Sequence, residues 1–286
     1  MKTCQYLFAI IAFTTLLSCG TNKKDKCNLT TVAGKREKKV FKKRTQMEEQ
    51  EHADSLQLDK ILQHALKTAH KHFRKTKFAE EYGEFVDGIP VRVEINMDYH
   101  FSEDQPHLII RRTEPNAVHI DIYSKGPRKF EKVKSLVEWS VTYVNDTIRD
   151  INGDGLKDFV VNTYGSSGCC LKAFSNVYLL KQDKKAFSEE FGFINPTFSP
   201  QEKMIRGVCY GHPGDTEMYK YRWNAYQVDT LEYVSYETNA EGIKTGKIIL
   251  STKRPFNNNS KTLKILNAVP AEYKKIEGYD WFTGDL

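Results

Sequence analysis

From Gly88 to about residue 250 the chain alternates apolar and polar residues in one segment after another, with no helix-length pattern between them. Val91, Val93, Ile95, Met97 and Tyr99 take turns with Arg92, Glu94, Asn96 and Asp98. Successive side chains of a strand point to opposite faces, so such a segment buries one face and wets the other. Val118, Ile120 and Ile122 repeat the pattern. So do Val137, Trp139, Val141 and Tyr143, which predicts a half-buried strand over 137–143. Further strands are expected at 159–164, 177–180, 219–223, 231–236 and 248–250, separated by turns rich in Gly, Asn, Asp or Pro, as at 181–185 and 195–199. Parallel strands need long crossover connections, usually helical. The expected class is therefore mainly β: an antiparallel meander, propeller-like or sandwich, with no repeat of fixed period.

One segment follows a different rule. Leu58, Ile61, Leu62, Ala65, Leu66, Ala69 and Phe73 recur every three or four positions and draw one apolar stripe. Asp54 with Gln57 suits its start, and Lys71, Arg74, Lys75 and Lys77 suit its end. This predicts one amphipathic N-terminal helix ahead of the β domain. His64, His70 and His72 ride on it without the spacing of a ligand pair and read as solvated.

The first residues give an address. Lys2 precedes an apolar run from Tyr6 to Leu17, then Leu16-Leu17-Ser18-Cys19. A charged start, a short apolar core and a small residue before the cut describe a secretory signal over residues 1–18. The core is shorter than the ~20 residues of a membrane span. Cys19 resembles the lipid-modified cysteine of a bacterial lipobox. The expected location is thus the cell envelope, anchored to the membrane through lipid on Cys19. Gly20 favours the outer membrane, facing the periplasm or the cell surface. Residues 19–44 read as a flexible tether, 45–84 as the helix region and 85–286 as the β domain.

Charge is segregated. Residues 23–44 hold ten basic residues against Asp25 and Glu37, a surplus of eight. With Lys2 this exceeds the whole chain's +6, so residues 45–286 sum to −3. The basic character belongs to the tether, where anionic headgroups suit it. An exported body of that charge argues against nucleic acid as a partner. Of the cysteines beyond the anchor, Cys27, Cys169, Cys170 and Cys209 remain. Export favours disulfides, with Cys209 expected to pair with Cys169 or Cys170. A rival zinc site would use Cys209 and His212 with one of that pair.

Residues 150–158 read Asp-Ile-Asn-Gly-Asp-Gly-Leu-Lys-Asp. Asp150, Asn152, Asp154 and Asp158 place oxygens at alternating positions of a tight turn, Gly155 supplies the bend, and the Leu156 carbonyl is a fifth donor. Hard oxygens at this spacing call for calcium. The loop departs from an EF-hand at its twelfth position, where Val161 replaces a bidentate Glu, and in running into a strand, so Asp158 is expected to close the site. The ion is expected to be structural. No nucleophile elbow or phosphate loop is present; Tyr164-Gly165-Ser166-Ser167-Gly168 lacks the required spacing.

The loop and the Phe159-Val160-Val161 that follows it are similar to the calcium loops of FG-GAP and VCBS-type modules. With Tyr178-Leu179-Leu180, the turn at Phe187, Pro196-Thr197-Phe198 and Tyr221-Arg222-Trp223, residues 130–250 resemble exported lipoproteins typified by immunity proteins against type IV-secreted peptidoglycan hydrolases. The resemblance implies a propeller-like domain, one calcium and inhibition of a lysozyme-type enzyme. The helix and the Cys169-Cys170 pair have no match in that pattern. The expected function is a non-enzymatic binding or inhibitor module for an exported partner such as a cell-wall hydrolase, with Ser166, Ser167 and Gly168 as the candidate binding loop. The alternative is an envelope hydrolase whose acids meet only in the fold.

Overall fold

Each sheet is built from strands that follow one another in the chain. The computed structural model describes residues 53–165, 170–255 and 259–285. Helix α1 spans 53–71. The first sheet has the order β1 (Phe78–Val86), β2 (Ile89–Asp98), β3 (His107–Thr113), β4 (Ala117–Lys125), β5 (Phe130–Trp139). The second holds β6 (Tyr143–Arg149), β7 (Asp158–Tyr164), β8 (Ala173–Tyr178) and β9 (Phe191–Ile194). The third runs β10 (Pro196–Ser199), β11 (Met204–Val208), β12 (Met218–Asn224), β13 (Gln227–Thr238), β14 (Lys244–Ser251), β15 (Thr262–Leu266). Every pairing is antiparallel and between neighbours in sequence. The fold is mainly β, as the alternation requires, and no sheet closes into a barrel among the described residues. No helix among them is long and apolar enough to cross a membrane.

The second sheet lies between the other two, and β7 shows why. Phe159 and Val161 pack with Ile109, Ile120 and Ile122 of the first sheet. Val160, on the opposite face, packs with Val177 and with Ile205, Tyr219 and Trp223 of the third. All four residues from Asp158 to Val161 are buried. The Arg111 guanidinium staples β3 to β6 through the Asp146 carboxylate, with Nε donating at 2.7 Å. Asn195 (φ 46°) is where the chain leaves the second sheet for the third. Asn tolerates that left-handed conformation. Its amide accepts from Ala173 N–H at 2.9 Å and donates to the Leu171 and Val208 carbonyls at 3.1 and 3.0 Å.

Helix α1 lays Ile61, Leu62, Ala65 and Ala69 on Val91, Val93, Ile95 and Met97 of β2. A buried ion pair locks it there: Arg112 donates to the Leu58 carbonyl at 2.7 Å and to Asp121 at 2.8 Å. Lys132 and Ser135 complete the shell around Asp121. Tyr273, Ile276 and Phe282, the last in helix α2 (Tyr279–Thr283), cover the outer face of the third sheet against Met218, Val234 and Ile248.

Three expectations are corrected. Residues 137–143 are not one strand: β5 ends at Trp139 and β6 begins at Tyr143. The phase is also inverted, because Val137, Trp139 and Val141 are 64, 54 and 62% exposed while Leu136 packs inward. Second, strands begin before residue 85. β1 pairs with β2 along its whole length and joins the same core as α1, so the helix and the first sheet are one packed body. Third, 196–199 is a strand and only Asn195 is the turn.

Candidate functional site

The 150–158 turn folds its polar side chains onto its own backbone. The Asp150 carboxylate accepts from Gly153 N–H at 2.7 Å and Gly155 N–H at 3.0 Å. Asn152 Oδ1 accepts from Asp154 N–H, and Asp154 Oδ1 from Leu156 N–H at 2.9 Å. Gly153 and Gly155 have φ of +74° and +87°, a region where a side chain costs energy. Asp158 is fully buried, its two oxygens accepting from Ile151 N–H and Leu180 N–H at 2.9 Å each. Burial pushes its carboxyl up to about 7 against those two bonds, and the Asp154 and Asp150 charges push the same way.

Those distances test the fit to a cation. No three acidic, histidine or cysteine side chains converge on one point among the described residues. Asp158 instead anchors the turn to the segment just after β8 through Leu180 N–H, yet each of its oxygens retains a lone pair beyond the backbone bond it accepts. Asp154 is held by neutral amides, those of Asn152 and Gln182 at 3.2 Å. None of the three carboxylates is in an ion pair among the described residues. The donor set is all oxygen, the type a hard divalent cation takes, but the Asp150, Asp154 and Asp158 carboxylates are engaged by backbone N–H groups and do not gather on one point.

The turn touches all three sheets. Lys157 N–H donates to the Phe101 carbonyl at 2.9 Å, in the β2–β3 connection of the first sheet. Close by, His107 Nε2 lies 3.2 Å from the Lys184 carbonyl. Asp158 holds the second sheet. Gly153 faces the turn Pro200–Glu202 of the third so closely that a Cβ there would lie 2.2 Å from the Pro200 carbonyl oxygen. Leu156 is half-buried against the core shared by the first two sheets.

Cys19, Cys27, Ser166, Ser167, Gly168 and Cys169 lie outside the described residues. The base of the 166–169 loop is described: Gly165 N–H donates to the Lys172 carbonyl at 2.9 Å. Cys170 and Cys209 are both buried. The Asn195 amide binds the carbonyls of their neighbours, Leu171 and Val208, and so brings the two cysteine segments together. Burial pushes the Cys209 thiol up to about 12, whereas His212 is exposed. The helix histidines are engaged locally, His64 with Glu84 at 2.7 Å and His70 with the Leu66 carbonyl at 2.8 Å.

The sequence reading missed a cleft of about 620 Å³ between the second and third sheets. It runs along β6 from Val144 to Arg149, the residue directly before the 150–158 turn, and is bounded at the far end of β7 by Tyr164. Its floor is Asn145, Asn162 and Ser175, aligned by the register of β6, β7 and β8. Tyr164, Phe174, Phe198 and Trp281 form its aromatic walls. Glu277 and Asp280, three residues apart, sit on one side. Alternation marks single strands and says nothing about which strands meet, so no local signal would have found these residues together.

No protein-family model matches the chain, and no curated protein does. Among solved structures, the chain is similar to one described as a Xanthomonas type IV secretion system related protein. That match has 16% identity and a TM-score of 0.34, and it covers 64% of this chain and 93% of the other.

Proposed function

We propose that this chain is an exported, lipid-anchored binding module whose β domain is braced by calcium at Asp150, Asn152, Asp154, Leu156 and Asp158. In this reading it holds another envelope protein without turning over a substrate. The partner implied by the resemblance is a cell-wall hydrolase, which the module inhibits.

The observation that carries the reading is the exposed apolar cluster at the β5–β6 turn. Val137, Trp139 and Val141 all stand in solvent. The turn is pinned to the end of β7 by Tyr164 N–H on the Thr142 carbonyl at 2.8 Å, beside the base of the 166–169 loop. Scattered surface hydrophobes are ordinary, but a tryptophan with two valines beside it has the composition of a docking patch. One further point favours binding over hydrolysis. The cleft's acids, Glu277 and Asp280, share one side, whereas glycoside cleavage uses carboxyls flanking the bond.

The test is inhibition of the peptidoglycan hydrolase activity of a native envelope extract, with calcium present. Purified wild-type protein should suppress it, and Trp139→Asp should weaken suppression by about 30-fold or more, the effect of losing an interface hot spot. Turnover of cell-wall material by the protein alone would favour the hydrolase alternative.

A further inference from the structure

We propose that the cleft between the second and third sheets binds a neutral saccharide. Its volume of about 620 Å³ is within the range of small-ligand sites. A sugar ring offers an apolar C–H face and an edge of hydroxyls. The cleft offers the two matching surfaces.

The floor is a directed amide relay. Ser175 Oγ donates to Asn162 Oδ1 at 2.8 Å, and Asn162 Nδ2 donates to Asn145 Oδ1 at 2.8 Å. Ser175 is buried and anchors one end. At the other, Asn145 is exposed and its Nδ2 group makes none of the bonds found among the described residues. An amide NH₂ carries two donors, so the relay ends in donors fixed in position and suited to hydroxyl oxygens.

The walls supply the stacking surface. Tyr164 is 46% exposed where β7 ends. Trp281 is half-buried and held by its Nε1–H on the Gly211 carbonyl at 3.0 Å. Aromatic rings fixed in this way present large apolar area at little entropic cost. Charge selects against anions: Glu277 and Asp280 oppose a single Arg149, which already stacks over Phe198 at 5.5 Å. A neutral ligand fits this balance, and a phosphorylated one does not.

This inference is independent of the inhibitor reading, because Trp139 and its valines are separate from the residues used here. The test is isothermal titration of the calcium-loaded full chain with chitotetraose, cellotetraose and maltotetraose. At least one should bind. Asn145→Ala and Tyr164→Ala, both at exposed positions, should keep the wild-type melting temperature and each weaken binding by about fivefold or more, the worth of a lost hydrogen bond or stacked ring. Trp139→Ala should leave affinity unchanged. Failure of all three sugars to bind would overturn the proposal, as would binding indifferent to both cleft variants. Loss of envelope-hydrolase inhibition in Trp139→Asp, with sugar binding intact, would separate the two readings.

Discussion

Replacing Gly153 by alanine would place a Cβ 2.2 Å from the Pro200 carbonyl oxygen and 3.1 Å from its carbon. That oxygen cannot swing aside, because it accepts from Lys203 N–H at 2.9 Å within the turn Pro200–Glu202. The φ of +74° adds about 1 kcal/mol for any residue with a Cβ. Relieving the contact means lifting the turn off the third sheet, an overpacking cost of about 1–3 kcal/mol. Together these come to about 2–4 kcal/mol, or roughly 5–15 °C in melting temperature for a domain of this size. Gly155→Ala is the control. Its φ is +87°, but nothing lies within 4 Å of the added methyl, so it should cost only about 1 kcal/mol. Both variants are melted in saturating calcium. If Gly153→Ala is no worse than Gly155→Ala, the turn does not brace the third sheet.

Asp121→Ala should cost about 3–5 kcal/mol in urea denaturation, since it strands Arg112 in the core, where Nε already lacks a partner. Burial raises the Asp121 carboxyl, but Ser135, Lys132 and Arg112 outweigh it and hold it below the ordinary value. Its stabilisation is therefore full above about pH 4 and is lost as pH falls further; Asp121→Asn should flatten that acid limb, and an unchanged limb would refute the assignment. Mass spectrometry of unreduced protein should find Cys209 joined to Cys170 or Cys169, whereas alkylation of all three on unfolding without reductant would count against the bond. Cys19→Ala should leave the membrane fraction, and sedimentation with membranes through high salt would contradict the lipid anchor.

Legibility in the sequence followed the range of the interaction. β2, β4, β12 and β13 bury one face or pack with clear alternation, and period two revealed them. β3 was unreadable because Leu108, Ile109 and Ile110 are buried on both faces, which erases alternation. β1 carries Glu80 between Phe78 and Tyr82 and is an edge strand, where charge is the rule. The misplaced strand at 137–143 has the opposite cause: an apolar alternation that runs through a turn and faces solvent. The 150–158 turn was readable as a tight polar turn because its Asp, Asn and Gly residues lie within nine consecutive positions. The cleft was not, because Asn145, Asn162 and Ser175 meet only through strand register and Trp281 arrives from the C-terminal segment.

The central claim is that an ion at Asp150–Asp158 holds three sheets together. Differential scanning calorimetry in chelator and in calcium tests it most directly. An ion at about 100 times its dissociation constant adds about 2.7 kcal/mol to a state that alone binds it, or roughly 5–11 °C here. The account predicts that rise for the wild type and its loss in Asp154→Ala. Identical midpoints with and without calcium, and a melt unchanged by Asp154→Ala, would contradict it.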